Sequence, residues 1–335
     1  MLDTTITPPA DDPLGVLTAT APIVRAARHV RIVLPALTAL AARWATEPWP
    51  DQAGLDALHF TDDTPHTANW VLLLDALNFC FWGEPDQPRW RIAWRGQTHD
   101  GYAALAAALT RALEDGHPIY DAAYLADLTA DDLRDILRPA PDSAEIPLFD
   151  ARLANAREVG RVLLERYAGQ FTDAIEHAAG SAVSLALLLA RDFPSFADIA
   201  TWRGQPVPFL KRAQICVADL HAAFHGQRWG AFTDLASLTA FADYKLPQLL
   251  RTHDILVYSP ELAATVDSYT PIPSGSEAEI EIRAATIWAV ELLRRALAEH
   301  HITRPASAID YRLWADSQTK LPNEHPYHRT RTIYY

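Results

Sequence analysis

Four aspartates lie in apolar stretches of the chain, where an ionised carboxylate is costly to bury unless it is paired or hydrogen-bonded. They are Asp75 in LLLDALNF, Asp219 in ICVADLHAAF, Asp243 in AFADYKLP and Asp310 in SAIDYRLW. Each could cap a helix or pair with an arginine inside the core. The alternative is that such a carboxylate faces a cleft and takes part in a reaction.

Asp243 is the strongest candidate for a reactive carboxylate. Pro247 follows it four residues later, and the residue before a proline tends to leave the helical region, so Asp243 is expected near a junction of two helices. A carboxylate there suits a reaction that develops positive charge at carbon. Cleavage of an N-glycosidic bond passes through an oxocarbenium-like sugar, which an ionised aspartate stabilises or traps. The 10 tryptophans and 11 tyrosines could provide planar walls for a heterocyclic base.

Motifs for other chemistries are absent from the sequence. His221 and His225 are four residues apart on a predicted helix, and His325 and His328 lie in NEHPYHR, but neither pair has an obvious third ligand. There is no GxxxxGK[ST], no GxGxxG after a strand and no GxSxG. We therefore expect neither a metal nor a cofactor.

The composition of the 335 residues, 49% hydrophobic and 21% charged, is that of a globular protein with a substantial core. A net charge of −13 weighs against a protein that grips duplex nucleic acid through its phosphates. Cys80 and Cys216 lie in apolar surroundings and are interpreted as buried core residues. The acidic, proline-rich N-terminus does not resemble a signal peptide, and the apolar segments are too short to span a bilayer. These features predict a soluble, cytoplasmic protein without a membrane partner.

The periodicity predicts one mainly α-helical domain over residues 16–335, preceded by a flexible or surface-hugging arm over residues 1–15. A helical pattern over residues 22–45 is broken by Pro35, and a long amphipathic helix begins at Ser276, which forms a capping-box pattern with Glu279. The minor β element is predicted in RWRIAWRGQTHDGY. There Trp90, Ile92 and Trp94 alternate with arginines around an Arg-Gly-Gln turn, as in a β-hairpin.

Several long motifs, in order from about residue 69 to residue 335, resemble the queuosine salvage protein family. They are DALNFCFW (75–82), WRGQTHDGY (94–102), VPFLKRAQICVAD (207–219), LTAFADYKLPQLL (238–250), SEAEIEIRAATIWAVELLR (276–294), IDYRLWAD (309–316) and PYHRTRTIYY (326–335). The family comprises queuosine 5'-phosphate N-glycosylases, which release the modified base queuine for reuse in tRNA. Its fold is similar to that of helix-hairpin-helix DNA glycosylases, which carry a lysine on one helix and a catalytic aspartate at the start of a later one.

The resemblance implies a site for this chain. Lys211 and Asp243, 32 positions apart, match the lysine and the catalytic aspartate, although only WRGQPVP stands before Lys211 in place of a glycine hairpin. The substrate contacts that it implies are His59, Ala240, Phe241, Asp310, Tyr311 and Asp316. Queuine carries a cationic secondary amine, which a carboxylate binds through charge-assisted hydrogen bonds. Asp310 is expected in that role, or else as the N-cap of YRLWAD.

The 5'-phosphate requires cationic or N–H donors. The candidates are Lys211, Arg212, Lys245, His328, Arg329 and Arg331. The terminal HRTRTIYY segment either borders the cleft or is docked on the surface.

The leading hypothesis is thus a hydrolytic N-glycosylase that releases queuine from queuosine 5'-monophosphate, with Asp243 as nucleophile or electrostatic stabiliser. A 7-deazapurine lacks the basic N7 that assists departure of ordinary purines, which places more of the burden on Asp243. One alternative is a non-catalytic protein that binds queuine or its nucleotide. Another is a DNA-lesion glycosylase, against which the acidic balance weighs.

Overall fold

The computed structural model describes residues 5–50, 57–319, 321 and 323–335. Its helices are α1 (Val16–Ala26), α2 (Leu34–Trp44), α3 (Pro65–Ala76), α4 (Gly101–Glu114), α5 (Ala122–Ala126), α6 (Ala130–Ile136), α7 (Phe149–Arg166), α8 (Phe171–His177), α9 (Ala182–Asp192), α10 (Lys211–Ala223), α11 (Lys245–Thr252), α12 (Pro260–Asp267), α13 (Glu277–Glu299) and α14 (Ala306–Asp316). Short 3₁₀ turns cover Pro194–Phe196, Arg228–Gly230 and Leu235–Ser237.

Strands form three small antiparallel pairs in the described part of the chain. β1 (Val30–Ile32) pairs with β6 (Leu256–Tyr258), β2 (Arg91–Trp94) with β3 (Gln97–Asp100), and β4 (Ile199–Trp202) with β5 (Gln205–Pro208). The prediction of a mainly α-helical protein with a minor β element is confirmed. No described helix is long and apolar enough to cross a membrane.

The predicted hairpin is confirmed as β2–β3, with Trp90, Ile92 and Trp94 buried on one face. A second hairpin, β4–β5, was not predicted. It has the same WRGQ sequence at its turn, and in both hairpins the arginine and the glycine have positive φ (49° and 76° in the first, 49° and 78° in the second). Positive φ at both central residues is the type I′ pattern that matches the twist of paired strands. The stretch before Lys211 is therefore a β-hairpin.

The helix α13 forms the centre of the core. Every residue from Glu279 to Leu293 is buried, and the helix packs against α1, α2, β1, α11 and α14. Its polar residues have partners: the carboxylate of Glu281 accepts hydrogen bonds from the backbone N–H groups of residues 28–30. α3 is likewise buried on all sides, as expected for a helix that is apolar all round. This arrangement gives the site a rigid support.

The structure revises two local predictions. Pro35 marks the start of α2, and the strand β1 separates α2 from α1 within the pattern that was interpreted as one broken helix. Of the N-terminal arm, residues 5–15 lie against the core: Ile6 is buried, and Arg295 donates to the carbonyls of Thr5 and Thr7. Residues 1–4 lie outside the described part of the chain.

Candidate active site

A cavity of about 460 Å³ lies between α10, α14, the start of α4 and the segment before α11. This volume is within the usual range for sites that enclose a small molecule. Residues 78–82 and the C-terminal Tyr327 and Tyr335 complete its wall. The terminal segment therefore borders the cleft, which was one of the two alternatives for it.

One face of α10 forms a wall of the cavity. Lys211, Ile215, Ala218, Asp219 and Ala222 all line it, because residues three and four apart lie on the same side of a helix. At a rise of about 1.5 Å per residue, Lys211 and Asp219 are roughly 12 Å apart along the helix axis. The same helix thus carries polar groups at two separate points of the cavity.

Asp243 lies just before α11 and lines the cavity. Its Oδ1 accepts hydrogen bonds from the backbone N–H groups of Lys245 (2.8 Å) and Leu246 (3.0 Å). Asp243 was expected near a junction of two helices because of Pro247; it does precede a helix, but Pro247 does not break that helix, since it occupies the first turn of α11, where no N–H is needed. Burial raises the pKa of Asp243, while the Lys211 ammonium and the two backbone N–H groups oppose this rise and favour the ionised form.

Lys211 is the first residue of α10 and its side chain is buried. Its Nζ lies 3.5 Å from the backbone oxygen of Asn78. Burial lowers the pKa of Lys211, and the negative potential of Asp243, Asp75 and Asp310 counteracts this effect. Lys211 is thus a buried cation that interacts electrostatically with three buried aspartates.

Asp310 is the fifth residue of α14, so its interpretation as an N-cap of that helix is wrong. Its Oδ2 accepts a hydrogen bond of 2.7 Å from the backbone N–H of Phe241, which ties α14 to the segment that bears Asp243. Burial, together with the nearby Asp243, raises the pKa of Asp310 well above its usual range. The raised pKa favours the protonated form of Asp310, in which the carboxyl group can donate to a ligand as well as accept.

The remaining two aspartates form a second acidic pair. Asp219 lines the cavity, whereas Asp75 is fully buried behind it and accepts a hydrogen bond of 3.2 Å from Asn78. Burial raises the pKa of Asp219 to about 6. Burial and the charge of Asp219 raise the pKa of Asp75 well above its usual range. Since two interacting like charges resist joint ionisation, the pair favours a state in which one carboxyl group keeps its proton.

Arg283 of α13 connects the two segments that carry Lys211 and Asp243. Its guanidinium makes a bidentate pair with Asp198 at 2.9 and 2.5 Å, and its Nε donates to the carbonyl of Ala242 at 3.2 Å. The same Asp198 carboxylate accepts from the backbone N–H of Lys211 at 3.1 Å. Both Arg283 and Asp198 are only 2% exposed. Their pairing is thus well placed to fix the start of α10 relative to the loop before α11.

The structure brings together most of the residues that the sequence suggested. His59, Phe241 and Tyr311 line the same cavity as Lys211 and Asp243. Ala240 and Asp316 are not among the lining residues. Ala240 is buried next to Phe241, and Asp316, at the end of α14, interacts with Arg312 and Glu47.

Two of the six candidates for phosphate contacts, Lys211 and Lys245, line the cavity. The other four are engaged elsewhere. Arg212 donates to the carbonyls of Asp75, Ala76 and Ser195, His328 contacts Tyr335, Arg329 donates to Gly83, and Arg331 pairs with Glu84.

Sequence reasoning missed several lining residues, among them Arg89, Tyr102 and Trp314. Trp314 stacks on Tyr311 at 6.0 Å between ring centroids and meets the edge of Tyr102 at 6.3 Å. These rings form a continuous aromatic wall. For Tyr102 a signal was present in the matched WRGQTHDGY motif, of which it is the last residue. Arg89 lies outside the quoted motifs.

Cys80 and Cys216 are free and buried, as predicted. Among the described residues no group of three or more histidines, cysteines or carboxylates is placed to hold a metal ion. His221 uses its Nδ1 to contact the carbonyl of Gly230 at 2.8 Å.

The fold and the cavity define a mainly helical protein with an enclosed acidic and aromatic site for a small molecule. The chain belongs to the queuosine salvage protein family, whose pattern matches residues 58–335. It is 50% identical over 329 residues to the queuosine 5'-phosphate N-glycosylase/hydrolase of Sphaerobacter thermophilus, which covers 97% of this chain and 98% of the relative.

Relatives from distant organisms bear the same name. The Mus musculus protein is 36% identical over 317 residues, and the match covers 92% of this chain and 91% of the mouse protein. The Dictyostelium discoideum protein is 37% identical over 272 residues, and the match covers 81% of this chain and 79% of that relative. The similarity therefore extends over the whole cavity region and is not confined to one motif.

Proposed function

We propose that this protein is a hydrolytic N-glycosylase that releases queuine from queuosine 5'-monophosphate, the activity for which its relatives are named. The observation that carries this proposal is the position of Asp243. Its carboxylate is held by two backbone N–H groups inside a cavity that also contains Lys211, Asp310 and an aromatic wall. Few other reactions require a fixed carboxylate and a stacking surface in one enclosed site.

In the proposed reaction the bond between the ribose C1' and the base nitrogen breaks, and its electron pair leaves with the base. Positive charge develops on the sugar, and ionised Asp243 stabilises it or forms a covalent bond to C1'. Water then supplies the hydroxyl at C1', and the proton that water loses balances the proton that the departing base nitrogen takes up. The Lys211 ammonium keeps Asp243 ionised despite burial, since it opposes the rise in the pKa of that carboxyl.

The base must leave without protonation at N7, because a 7-deazapurine has a carbon at that position. Asp310 lies in the same cavity and its raised pKa favours the protonated form, so it is suited to donate a hydrogen bond to another heteroatom of the departing base. This role differs from the charge-assisted contact expected from the sequence. Tyr311 and Trp314 supply the surface on which the base stacks.

We assign the 5'-phosphate to the side of the cavity that Lys245 and Arg89 line. Lys245 is adjacent to the segment of Asp243, and its Nζ donates to Gln248 at 2.7 Å. The side chain of Arg89 is 58% exposed and is paired only loosely, at 3.8 Å, with Asp100. A dianionic phosphate would thus meet two cations that are not committed to the core.

We further propose that the helical body is arranged as in helix-hairpin-helix DNA glycosylases, although a β-hairpin precedes the lysine helix. The pairing of Lys211 at the start of α10 with Asp243 before α11 supports this arrangement. With an excess of 13 negative charges, a single nucleotide suits the cavity better than a DNA duplex does. We expect the protein to act in the cytoplasm, where nucleotides from tRNA turnover are available.

The decisive experiment is detection of free queuine by mass spectrometry after incubation with queuosine 5'-monophosphate. Asp243→Asn keeps an oxygen that can accept from the N–H groups of α11 but removes the charge. We expect it to fold and to lose about 10²–10³-fold in kcat, as when one electrostatic stabiliser is removed. Asp254→Asn is the matched control, because Asp254 is exposed and its φ of 55° suits asparagine. It should retain full activity.

Other outcomes point to the alternatives. If the wild type binds the nucleotide but releases no base, the protein is a non-catalytic binder. Duplex DNA binding at low salt together with excision of a damaged base would favour a lesion glycosylase. Full activity of folded Asp243→Asn would contradict the role assigned to Asp243 while leaving the reaction intact.

A further inference from the structure

Three cavity residues that belong to different elements form a hydrogen-bonded chain. The hydroxyl of Tyr102, at the start of α4, lies 3.0 Å from Oδ2 of Asp219 and 3.0 Å from Nε2 of His59. All three residues line the cavity. Trp70 and Tyr102 pack against the His59 ring at centroid distances of 5.4 and 5.8 Å. The imidazole is therefore fixed both in position and in orientation.

The charge states of Asp219 and His59 determine which atom holds each proton in the hydrogen-bonded series Asp219–Tyr102–His59. Above pH 6 Asp219 is ionised and can only accept. The Tyr102 hydroxyl must then donate its proton to Asp219, and its oxygen accepts from Nε2–H of His59. Burial lowers the pKa of His59 to about 4, so the ring is neutral at pH 7. A neutral imidazole with its proton on Nε2 has a lone pair on Nδ1.

We infer that Asp219 and Tyr102 are positioning residues that hold His59 as a hydrogen-bond acceptor at Nδ1, and that this nitrogen selects substrates with a donor group on the base. This inference rests on the proposed function. The chemical class of the group is a hydroxyl or an ammonium on the substituent of the 7-deazaguanine, since queuine carries a diol and a secondary amine there. Asp219 lies roughly 12 Å along α10 from Lys211, so a long substituent extending away from the reacting carbon would reach this end of the cavity.

The tautomer should change when Asp219 takes up a proton. Neutral Asp219 can donate to the Tyr102 oxygen, which frees the Tyr102 proton for Nε2 of His59 and places the imidazole proton on Nδ1. A donor on the substrate would then face another donor. The charged and titratable groups around Asp219 are Lys211 and Cys216 on its own helix, Asp75 from α3, and Tyr102 from α4. Burial raises the pKa values of Asp75 and Cys216 well above their usual ranges, which favours the neutral form of both groups.

The test compares two substrates, queuosine 5'-monophosphate and 7-deazaguanosine 5'-monophosphate, which lacks the substituent. In Tyr102→Phe we expect KM for the full substrate to rise about tenfold, as for loss of one well-placed hydrogen bond. KM for the truncated substrate, which has no donor for His59, should rise less, so the preference for the full substrate should fall. If Tyr102 affects the substrate preference only through His59, it has no further effect on that preference once His59 is removed. His59→Ala and the His59→Ala/Tyr102→Phe double variant should therefore have the same preference between the substrates. A Tyr102→Phe variant with wild-type preference would overturn the inference.

A pH profile and nitrogen NMR provide readouts that a merely structural role would not affect. The wild-type preference for the full over the truncated substrate, measured as the ratio of their KM values, should weaken as the pH falls through about 6, whereas in Asp219→Asn this ratio should stay constant between about 5 and 8; both substrates carry the same phosphate, so its titration cancels. NMR of the histidine-labelled protein without substrate should show the proton of His59 on Nε2 at pH 8. A proton on Nδ1 at that pH would refute the inference whether or not the protein releases queuine. Failure of the wild type to act on either substrate would instead refute the proposed function.

Discussion

Replacement of Asp219 by asparagine should change how the stability of the protein depends on pH. In the folded protein the pKa of Asp219 is raised from 3.8 to about 6, chiefly by burial. The folded state therefore holds this proton more tightly than the unfolded state. As the pH rises from 4 to 7, the proton is lost from the folded protein at a cost in folding free energy, and stability falls. Asparagine has no proton to lose.

The size of this effect follows from the shift in pKa. Each unit corresponds to about 1.4 kcal/mol, and since pH 4 lies just above the unfolded pKa, Asp219 should lower the free energy of unfolding by about 2.5 kcal/mol between pH 4 and pH 7. With an unfolding entropy of about 2 cal/mol/K per residue, this corresponds to roughly 4 °C in Tm for a chain of this length. Burial is the first cause of the raised pKa of Asp75 and is the same in both proteins, so it favours the protonated form of Asp75 in each. The difference between wild type and variant therefore reports chiefly on Asp219.

The measurement is denaturant unfolding and thermal unfolding of both proteins at pH 4, 5, 6, 7 and 8. We expect the free energy of unfolding of the variant, measured relative to the wild type, to be about 2.5 kcal/mol more favourable at pH 7 than at pH 4. A constant difference between the two proteins across the series would refute the reasoning, since Asp219 would then titrate alike in the folded and unfolded states. Circular dichroism at each pH verifies that both proteins start from the same fold.

Three further predictions concern the buried Asp198–Arg283 pair, the close packing at Gly160 and the ionisation of Asp243. Asp198→Asn removes the closer of the two carboxylates that pair with the buried Arg283 guanidinium, leaves Glu279 at 3.8 Å, and should cost about 3 kcal/mol in the free energy of unfolding; unchanged denaturant midpoints would contradict this. Gly160→Ala places a Cβ only 2.2 Å from the backbone nitrogen of Ala126, so Tm should fall by several degrees, whereas Gly83→Ala meets open space and should have little effect. Equal Tm values for the two glycine variants would show that α7 can shift at no cost. Finally, kcat should decline as the pH falls through a value above 3.8, because Asp243 must be ionised and its pKa is raised; a kcat that does not change with pH down to 4 would contradict its charged role.

Local patterns in the sequence were sufficient to predict much of the architecture. The alternation of Trp90, Ile92 and Trp94 predicted β2–β3, and the capping signal at Ser276 located the start of α13. The apolar setting of the four aspartates correctly singled out unusual positions, since three of them line one cavity and the fourth lies behind it. The roles of these residues in catalysis remain predictions.

The features that the sequence did not predict depend on contacts between distant segments. Nothing local indicates that Asp198 and Arg283, 85 positions apart, form a buried pair. The link from His59 through Tyr102 to Asp219 likewise joins three elements whose meeting depends on the packing of α3, α4 and α10. The short strands β1 and β6 were missed because each has only three residues, too few for an alternating pattern.

The wall of the cavity has a consequence for how the protein matures. Its residues extend from His59 to Tyr335, and the backbone oxygen of Tyr335 accepts a hydrogen bond of 2.9 Å from the N–H of Cys80. Contacts between residues that lie so far apart in the sequence form slowly and late in folding. During synthesis, the acidic residues of α10 and α14 would therefore remain open to solvent until the final segment docks. A nascent chain can be largely helical and still lack a finished cavity, so catalytic competence should lag behind secondary structure in a refolding experiment.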